Sequence, residues 1–336
     1  MREASFYTKE AGGDVRCGLC AQHCRIKPGA VGTCGVRRND AGTLVTLVYG
    51  LTVAENVDPI EKKPLFHFLP GSRSFSIATA GCNFRCRHCQ NADISQMPRD
   101  AGRILGSPLA PAEVVSRALA AGCASISYTY TEPTIFFEYA FDSAALARQA
   151  GLKNVFVTNG YIAAEPLRAI APHLDAANVD LKSSSDEFYK RVCGARLQPV
   201  LDALKLYREL GIWLEVTTLV IPGENDSDED LGGCARFIAE ELGRDVPWHV
   251  SAFHPTYLLT NRPRTPAETL QRARRIGLDA GLHFVYEGNL PGEGEETACP
   301  SCGRTVIARF GFAVRGNRLR DGRCPDCGAA VAGVWA

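Results

Sequence analysis

The sequence has no excess of charge of either sign and no long apolar run. Lysine plus arginine and aspartate plus glutamate both number 37 among 336 residues, so no overall field attracts nucleic acid or an anionic membrane. No apolar stretch approaches the ~18 residues typical of a membrane span, and the first residues lack the basic-then-apolar order of a signal peptide. We therefore expect a soluble, globular, cytoplasmic protein.

Cysteine, in contrast, is abundant, with 14 in the chain. Eleven of them fall in three tight clusters, whereas Cys123, Cys193 and Cys234 stand alone. Secreted disulfide scaffolds are usually much shorter than this chain, and disulfides are rare in a reducing compartment. The three clusters therefore indicate metal sites.

Between the clusters, apolar strand-like runs alternate with helical stretches such as PAEVVSRALAAG, which has a proline at its start and a glycine at its end. This alternation predicts a parallel sheet. Six or seven units over roughly 215 residues favour a full or partial α/β barrel, of (β/α)6 TIM-like type, over a doubly wound sheet. The strand candidates are SFSIATA (74–80), ASISYTY (124–130), NVFVTNG (154–160), AANVDLK (176–182), IWLEVTTLV (212–220), PWHVSAF (247–253) and HFVYEG (283–288).

The loop after the first predicted strand, GCNFRCRHCQN, holds three cysteines in eight positions, Cys82, Cys86 and Cys89. The C-terminal ends of strands carry the functional groups of a barrel. A structural zinc site takes four ligands, whereas three thiolates leave one iron of a [4Fe–4S] cluster open. We therefore predict a cluster with an open iron. The alternative is a zinc site of three cysteines completed by a distant ligand such as His88 or His67.

This C-x3-C-x2-C loop resembles that of the radical S-adenosylmethionine (SAM) enzymes. The resemblance implies that the reduced cluster cleaves SAM to methionine and a 5′-deoxyadenosyl radical, which abstracts hydrogen from a substrate. It also implies that His88 lies near the adenine, in a position that is usually aromatic. DLKSSSDEFYKRVCG and VTTLVIPGENDSDEDL resemble pyruvate formate-lyase activating enzymes in particular. That likeness implies a flavodoxin or ferredoxin reductant and, as substrate, a glycyl radical enzyme, another protein or a small molecule.

The resemblance further implies SAM contacts at later strand ends. Related enzymes hold the SAM amino group with a Gly-Gly-Glu-like segment, and here YTYTEPT offers Tyr130, Thr131 and Glu132. The Glu132 carboxylate would accept a hydrogen bond from the SAM ammonium. Thr158 and Asn159 would bond the ribose hydroxyls, and the Asp180 and Lys182 segment would bond the methionine carboxylate through a charge-assisted hydrogen bond. Taken singly, each such piece is more typical of a cap or a turn, and the histidines equally fit structural roles. The other expected contacts are Thr158, Asn159, Asp180, Lys182, His249 and His254.

The C-terminal cysteines lie in CPSCGRT and CPDCGAA, two C-x2-C-G knuckles separated by 21 residues. Four thiolates at this spacing predict a closed tetrahedral zinc site in a zinc ribbon. Its role would be to fold a piece of ~40 residues that is too small to bury its own core. The ribbon is only moderately basic, so nucleic-acid binding is the less favoured role. The predicted ligands are Cys299, Cys302, Cys324 and Cys327.

The N-terminal segment CGLCAQHCRIKPGAVGTCGVR holds four cysteines within 18 residues, and His23 could replace one of them as a ligand. Zinc and an auxiliary [4Fe–4S] cluster both accept four thiolates. Spacing alone therefore does not separate these two metals, and reduced thiols without metal are the third interpretation. The predicted ligands are Cys17, Cys20, Cys24 and Cys34.

Together these motifs resemble, across nearly the whole chain, the radical SAM member of the AmmeMemoRadiSam system. Proteins of the Memo and AMMECR families are then expected partners. Ala21 departs from the pattern, which has proline there. The predicted domains are a Cys-rich N-terminal segment (1–72), the radical SAM barrel (73–290) and the ribbon (291–336). The alternative function is a non-catalytic zinc-binding adaptor or interaction module, which would have no need for polar strand ends around one open cluster.

Overall fold

A computed structural model describes residues 1–290 and 294–336. Its centre is one sheet of eight strands whose spatial order follows the order of the chain. The central strands β11, β13 and β15 are almost entirely buried, as expected for parallel strands covered on both faces. The strands of this sheet are β8 (Ala54–Pro59), β9 (Arg73–Ala78), β11 (Ser125–Tyr128), β12 (Lys153–Thr158), β13 (Ala176–Asp180), β14 (Trp213–Val220), β15 (Trp248–Ala252) and β16 (Val285–Gly288).

The seven strands β9 and β11 to β16 pair with one another in the parallel sense. The eighth strand, β8, pairs with β9 in the antiparallel sense. The seven parallel strands correspond to the seven strands predicted from the sequence. A doubly wound sheet would reverse its strand order at a switch point, and this sheet shows no reversal among the described residues. The prediction of a partial α/β barrel is therefore confirmed.

Helices follow each of the first six parallel strands, which gives six strand–helix units and a seventh strand to end the sheet. Helix α3 begins at Pro111, and Ser227 caps α8 through its side chain. The helices are α1 (Ala92–Ser95), α2 (Met97–Asp100), α3 (Pro111–Ala120), α4 (Phe137–Gln149), α5 (Ala164–Ile170), α6 (Asp186–Phe188), α7 (Gln198–Glu209), α8 (Asp228–Phe237) and α9 (Ala267–Asp279).

Close packing fixes α9 against the last strands. Trp248 at the start of β15 is fully buried, and its ring lies only 2.9 Å from where a Cβ would stand on Gly277 of α9. A larger residue at Gly277 would push the helix off the sheet, so this glycine sets the approach of α9.

Short antiparallel sheets flank the central one. The N-terminal region forms the sheets β1-β6-β5 and β2-β3-β4 and the pair β10-β7, and the C-terminal region forms β17-β18-β19. The predicted boundary of the ribbon at residue 291 falls in 291–293, outside the described residues. The flanking strands are β1 (Arg2–Glu3), β2 (Tyr7–Lys9), β3 (Val15–Cys17), β4 (Arg25–Ile26), β5 (Arg37–Asp40), β6 (Thr43–Thr46), β7 (Leu51–Thr52), β10 (Ser107–Pro108), β17 (Thr297–Ala298), β18 (Thr305–Phe310) and β19 (Ala313–Asn317).

The described part of the chain contains no helix that combines the length and the apolarity needed to cross a bilayer.

Candidate functional site

The cysteine triplet lies in a loop that leaves the C-terminal end of β9. The loop turns at Gly81, whose φ of 102° is a left-handed conformation. A Cβ there would stand 2.9 Å from the carbonyl oxygen of Cys34, so glycine is required by both backbone and space. Cys82 and Cys86 are buried and Cys89 is partly exposed.

A second segment, after β13, holds this loop from the other side. The backbone amides of Arg85 and Arg87 donate to the carbonyls of Cys193 and Val192 at 2.8 and 2.9 Å. A hydrogen bond with the Cys193 thiol lowers the pKa of Cys86, against the effect of burial. Sequence reasoning left Cys193 as a lone cysteine, although its position at the end of DLKSSSDEFYKRVCG was a signal.

Asn159, after β12, reaches the triplet directly. Its Nδ2 lies 3.8 Å from the Cys82 sulfur and donates to Asn83 Oδ1 at 2.7 Å. Its Oδ1 accepts from the backbone amide of Tyr161 at 3.0 Å, which fixes the orientation of the amide. The predicted contact of Asn159 with a ribose stays a prediction, and the structure adds a contact with Cys82 of the triplet.

Glu132, after β11, is fully buried and its carboxylate accepts four hydrogen bonds. Oε1 accepts from the Thr134 amide (3.0 Å), the Thr134 hydroxyl (2.6 Å) and the Thr158 hydroxyl (2.7 Å), and Oε2 accepts from the Asn159 amide at 2.8 Å. Burial raises its pKa. These donors fill about four lone-pair positions, so Glu132 ties the ends of β11 and β12 together. Its predicted role toward an ammonium stays a prediction.

The two residues before Glu132 are also anchored. Tyr130 has a φ of 61°, its hydroxyl hydrogen-bonds to Asp58 of β8, and its carbonyl accepts from Asn91 Nδ2 at 2.8 Å. The Thr131 hydroxyl donates to the carbonyl of Thr79 at 2.9 Å. This turn therefore holds the cluster loop, through Asn91, to the edge of the sheet.

Asp180 and Lys182 form an ion pair at the C-terminal end of β13, with Lys182 Nζ 2.7 Å from Asp180 Oδ2. Burial alone would lower the pKa of Lys182, but the charges of Asp180 and Cys86 raise it well above its usual value. The lysine therefore carries a positive charge beside the triplet.

The alternative of a zinc site completed by a histidine finds no support in the geometry. His88 is buried, burial lowers its pKa to about 3, and its Nδ1 has no hydrogen-bond partner within residues 1–290 and 294–336. His67 lies elsewhere, bonded to the carbonyl of Ala332 and to the Tyr286 hydroxyl at 2.6 and 2.5 Å. Neither histidine belongs to a group of three or more possible ligand atoms within 4.8 Å of one another in the described residues, and the three thiols do not form such a group either.

The two predicted histidines of the sixth parallel strand are not brought together. His249 is buried, with Nε2 2.7 Å from Glu215 Oε2, and this hydrogen bond holds the pKa of Glu215 below its usual value despite burial. His249 also lines a cavity of about 250 Å³ that none of the triplet cysteines lines. His254 lies beyond β15 and is exposed.

The four C-terminal cysteines converge, as the knuckle spacing predicts. Cys299 Sγ lies 3.6 Å from Cys327 Sγ, and Cys302 Sγ lies 3.7 Å from Cys324 Sγ. All four sulfurs lie within 4.8 Å of one another, and they form the one group of this kind in residues 1–290 and 294–336. A metal ion fits this donor set.

The N-terminal cysteines line a small pocket of about 10 Å³, whose wall includes Asn83 of the loop that carries the triplet. His23 is exposed and does not line it. The structure therefore places the cysteines, and not the histidine, around this space. The cysteines are Cys17, Cys20, Cys24 and Cys34.

Comparisons with known proteins agree with this arrangement. The sequence model of the radical SAM superfamily matches residues 76–232, a range that contains the triplet, Glu132, Asp180 and Lys182. An uncharacterised protein of Methanocaldococcus jannaschii is 48% identical over 98% of this chain and 99% of its own length. The pyruvate formate-lyase-activating enzyme of Clostridium pasteurianum is 25% identical over 50% of this chain and 70% of its own.

Among solved structures, a radical SAM methyltransferase from Sphaerobacter thermophilus superposes with a TM-score of 0.52. It is 17% identical and the match covers 71% of each chain. At this identity the likeness is one of fold.

Proposed function

We propose that Cys82, Cys86 and Cys89 ligate a [4Fe–4S] cluster whose open iron binds SAM, because residues 76–232 match the sequence model of the radical SAM superfamily. The donor set fits the group: one loop after β9 supplies three thiols, and Asn159 Nδ2 lies 3.8 Å from the first of them, the Cys82 sulfur. When bound, the reduced cluster and SAM supply the 5′-deoxyadenosyl radical that takes hydrogen from a substrate.

The chain's own residues would bind SAM and orient it beside the cluster. Lys182, held by Asp180, offers a buried cation for the SAM carboxylate. His88, with a free Nδ1 in a buried position, is suited to contact the adenine. Glu132 and Asn159 would keep the two strand ends and the Cys82 side of the loop in register. Burial of Cys82 and Cys86 would limit access of water to the reactive centre.

As the finer activity, we propose activation of a glycyl radical enzyme or modification of another protein. This rests on the similarity to the pyruvate formate-lyase-activating enzyme of Clostridium pasteurianum and to a putative glycyl-radical enzyme activating enzyme of Methanocaldococcus jannaschii. A flavodoxin- or ferredoxin-type protein would supply the electron. The motif order supports membership of the AmmeMemoRadiSam system, with proteins of the Memo and AMMECR families as partners.

We also propose that the C-terminal thiols hold zinc. Zinc–sulfur bonds of ~2.3 Å in a tetrahedron put sulfurs about 3.8 Å apart, close to the 3.6 and 3.7 Å between the paired thiols. The ribbon beyond residue 291, the barrel over 73–290 and the segment 1–72 would then be three parts with separate roles.

The test of the proposed function is anaerobic turnover. Reconstituted protein with SAM and dithionite should yield 5′-deoxyadenosine and methionine, detected by mass spectrometry. Cys86→Ala should lose the product, because two thiolates do not hold the cluster, whereas Cys123→Ala, a cysteine outside the clusters, should keep it. Intact SAM with a protein that holds only zinc would contradict the proposal and favour a metal-stabilised adaptor. If 5′-deoxyadenosine does form, deuterium transfer into it from labelled candidates would identify substrates.

A further inference from the structure

The N-terminal thiols line a cavity that contains a buried cation. Arg37 is 2% exposed and lines the same space as the four thiols. Its charge is paired with the Glu138 carboxylate, whose two oxygens lie 3.0 and 3.1 Å from the terminal nitrogens, and one terminal nitrogen also donates to the carbonyl of Ser5. Nε has no partner in the part of the chain that the structure describes. A buried N–H donor without an acceptor is costly unless another group completes the site.

We propose that Cys17, Cys20, Cys24 and Cys34 hold a second iron–sulfur cluster, toward which the unpaired Nε–H of this arginine is a donor. Four thiolates and sulfide make such a cluster anionic, and N–H donors near its sulfurs tune its potential. The backbone amide of Thr33 already donates to Cys24 Sγ at 3.4 Å. This site lies outside the residues used by the proposed function, so each can fail without the other.

Sulfur spacing separates this site from the zinc site. A single zinc draws four sulfurs to about 3.8 Å from one another, and the C-terminal thiols meet that condition. The N-terminal thiols do not form a group within 4.8 Å, a test applied to residues 1–290 and 294–336. They line one small pocket instead. An iron–sulfur cluster contains several irons with sulfide between them, so its cysteine sulfurs stand further apart than those around one ion.

The proposed second cluster lies beside the first. The carbonyl oxygen of Cys34 stands 2.9 Å from the Cβ position of Gly81, the residue before Cys82. Arg99 bridges the two loops by donating to the carbonyls of Thr33 (2.6 Å) and Cys82 (3.3 Å). The N-terminal loop therefore packs directly on the cluster loop, without an intervening layer of side chains.

This position suits a one-electron carrier. One electron from a flavodoxin- or ferredoxin-type donor would reduce the N-terminal cluster. The same electron would then pass to the Cys82 cluster, and the N-terminal cluster would be oxidised again. No further oxidant or reductant is required for this exchange.

The full-length triple variant Cys82→Ala, Cys86→Ala, Cys89→Ala tests the site without the first cluster. After anaerobic reconstitution, it should retain about two or four iron atoms with equal sulfide, the contents of four-cysteine clusters. Dithionite should produce an electron paramagnetic resonance signal of a reduced iron–sulfur cluster. A triple variant that holds no iron, whether with zinc or with no metal at the N-terminal site, would overturn the proposal.

The reciprocal variant Cys24→Ser changes the partly exposed thiol and is the least disruptive substitution in the set. It should lose or alter this signal while the Cys82 cluster keeps its own, and Cys123→Ser should leave both signals intact. Retained zinc at the ribbon would show that Cys24→Ser is folded. An unchanged N-terminal signal in folded Cys24→Ser would remove this thiol from the ligand set and contradict the four-cysteine site.

Discussion

At the scale of single residues, the site contains buried polar groups that several hydrogen bonds hold in place. Glu132 is the clearest case, because Thr134, Thr158 and Asn159 all donate to it. Such a residue positions its neighbours through a fixed network, and removal of one acceptor leaves a buried donor unpaired. The sequence could predict that the Glu132 carboxylate accepts hydrogen bonds, but it could not predict which residues donate them.

Glu132→Gln tests this network. An amide nitrogen in place of one carboxylate oxygen would face donors, so we expect the free energy of unfolding to fall by about 1–3 kcal/mol. The exposed Glu165 on α5 provides the matched control, since Glu165→Gln should cost almost nothing. Denaturant titration of both variants measures the difference. Equal stability of the two variants would contradict the structural role.

His67 gives the protein a pH dependence at the same scale. Burial lowers its pKa to about 4, whereas an unfolded histidine titrates near 6.5. Between these values the unfolded chain binds the extra proton, so stability falls as the pH drops from about 6.5 to 4. The loss should approach about 3 kcal/mol at the lower end. His67→Asn should lack this part of the pH dependence, and parallel stability curves for the two proteins would refute it.

At the scale of elements, the C-terminal edge of the parallel sheet collects the polar groups. The loops after β9, β11, β12 and β13 meet there, because parallel strands in chain order present their C-terminal ends side by side. The opposite edge has an ion pair of its own, with Lys153 Nζ 3.1 Å from Asp175 Oδ1. The two lysines therefore lie at opposite edges of one sheet.

Lys182→Met should weaken SAM binding. Loss of a charge-assisted hydrogen bond is worth about 1.5–3 kcal/mol, which corresponds to about 10- to 100-fold in affinity. Lys153→Met removes the same charge at the other edge and should leave affinity unchanged. Calorimetry on anaerobically reconstituted proteins with equal iron content measures both. If both variants bind SAM as tightly as the parent, Lys182 has no role in recognition.

At the scale of the whole molecule, the C-terminal region packs against the segment that precedes β9. Arg309 donates to the carbonyl of Phe66 at 2.6 Å and its guanidinium lies 4.4 Å from the centre of the Phe66 ring. The amide of Val334 donates to the carbonyl of His67 at 2.7 Å. The segment before the barrel is thus held between the sheet and the C-terminal strands.

Removal of the ribbon metal should therefore affect the entire chain. The double variant Cys302→Ser, Cys327→Ser changes only the two exposed knuckle thiols. We expect metal analysis to show one zinc fewer and the melting temperature to fall, because the contacts of Arg309 and Val334 lose their scaffold. Cys123→Ser should keep both properties. A double variant with an unchanged zinc count would exclude a zinc ligated by these thiols.

The sequence alone determined the seven parallel strands and the convergence of the four C-terminal cysteines. Each of these depends on local spacing: apolar period, residues between cysteines, and a turn after a strand. Only the tertiary structure decided that Cys193 lies against Cys86, that Asn159 contacts Cys82, and that the N-terminal thiols lie beside the cluster loop. These pairs are brought together by strand order and loop packing over long separations in the chain, and a local pattern carries no record of such contacts.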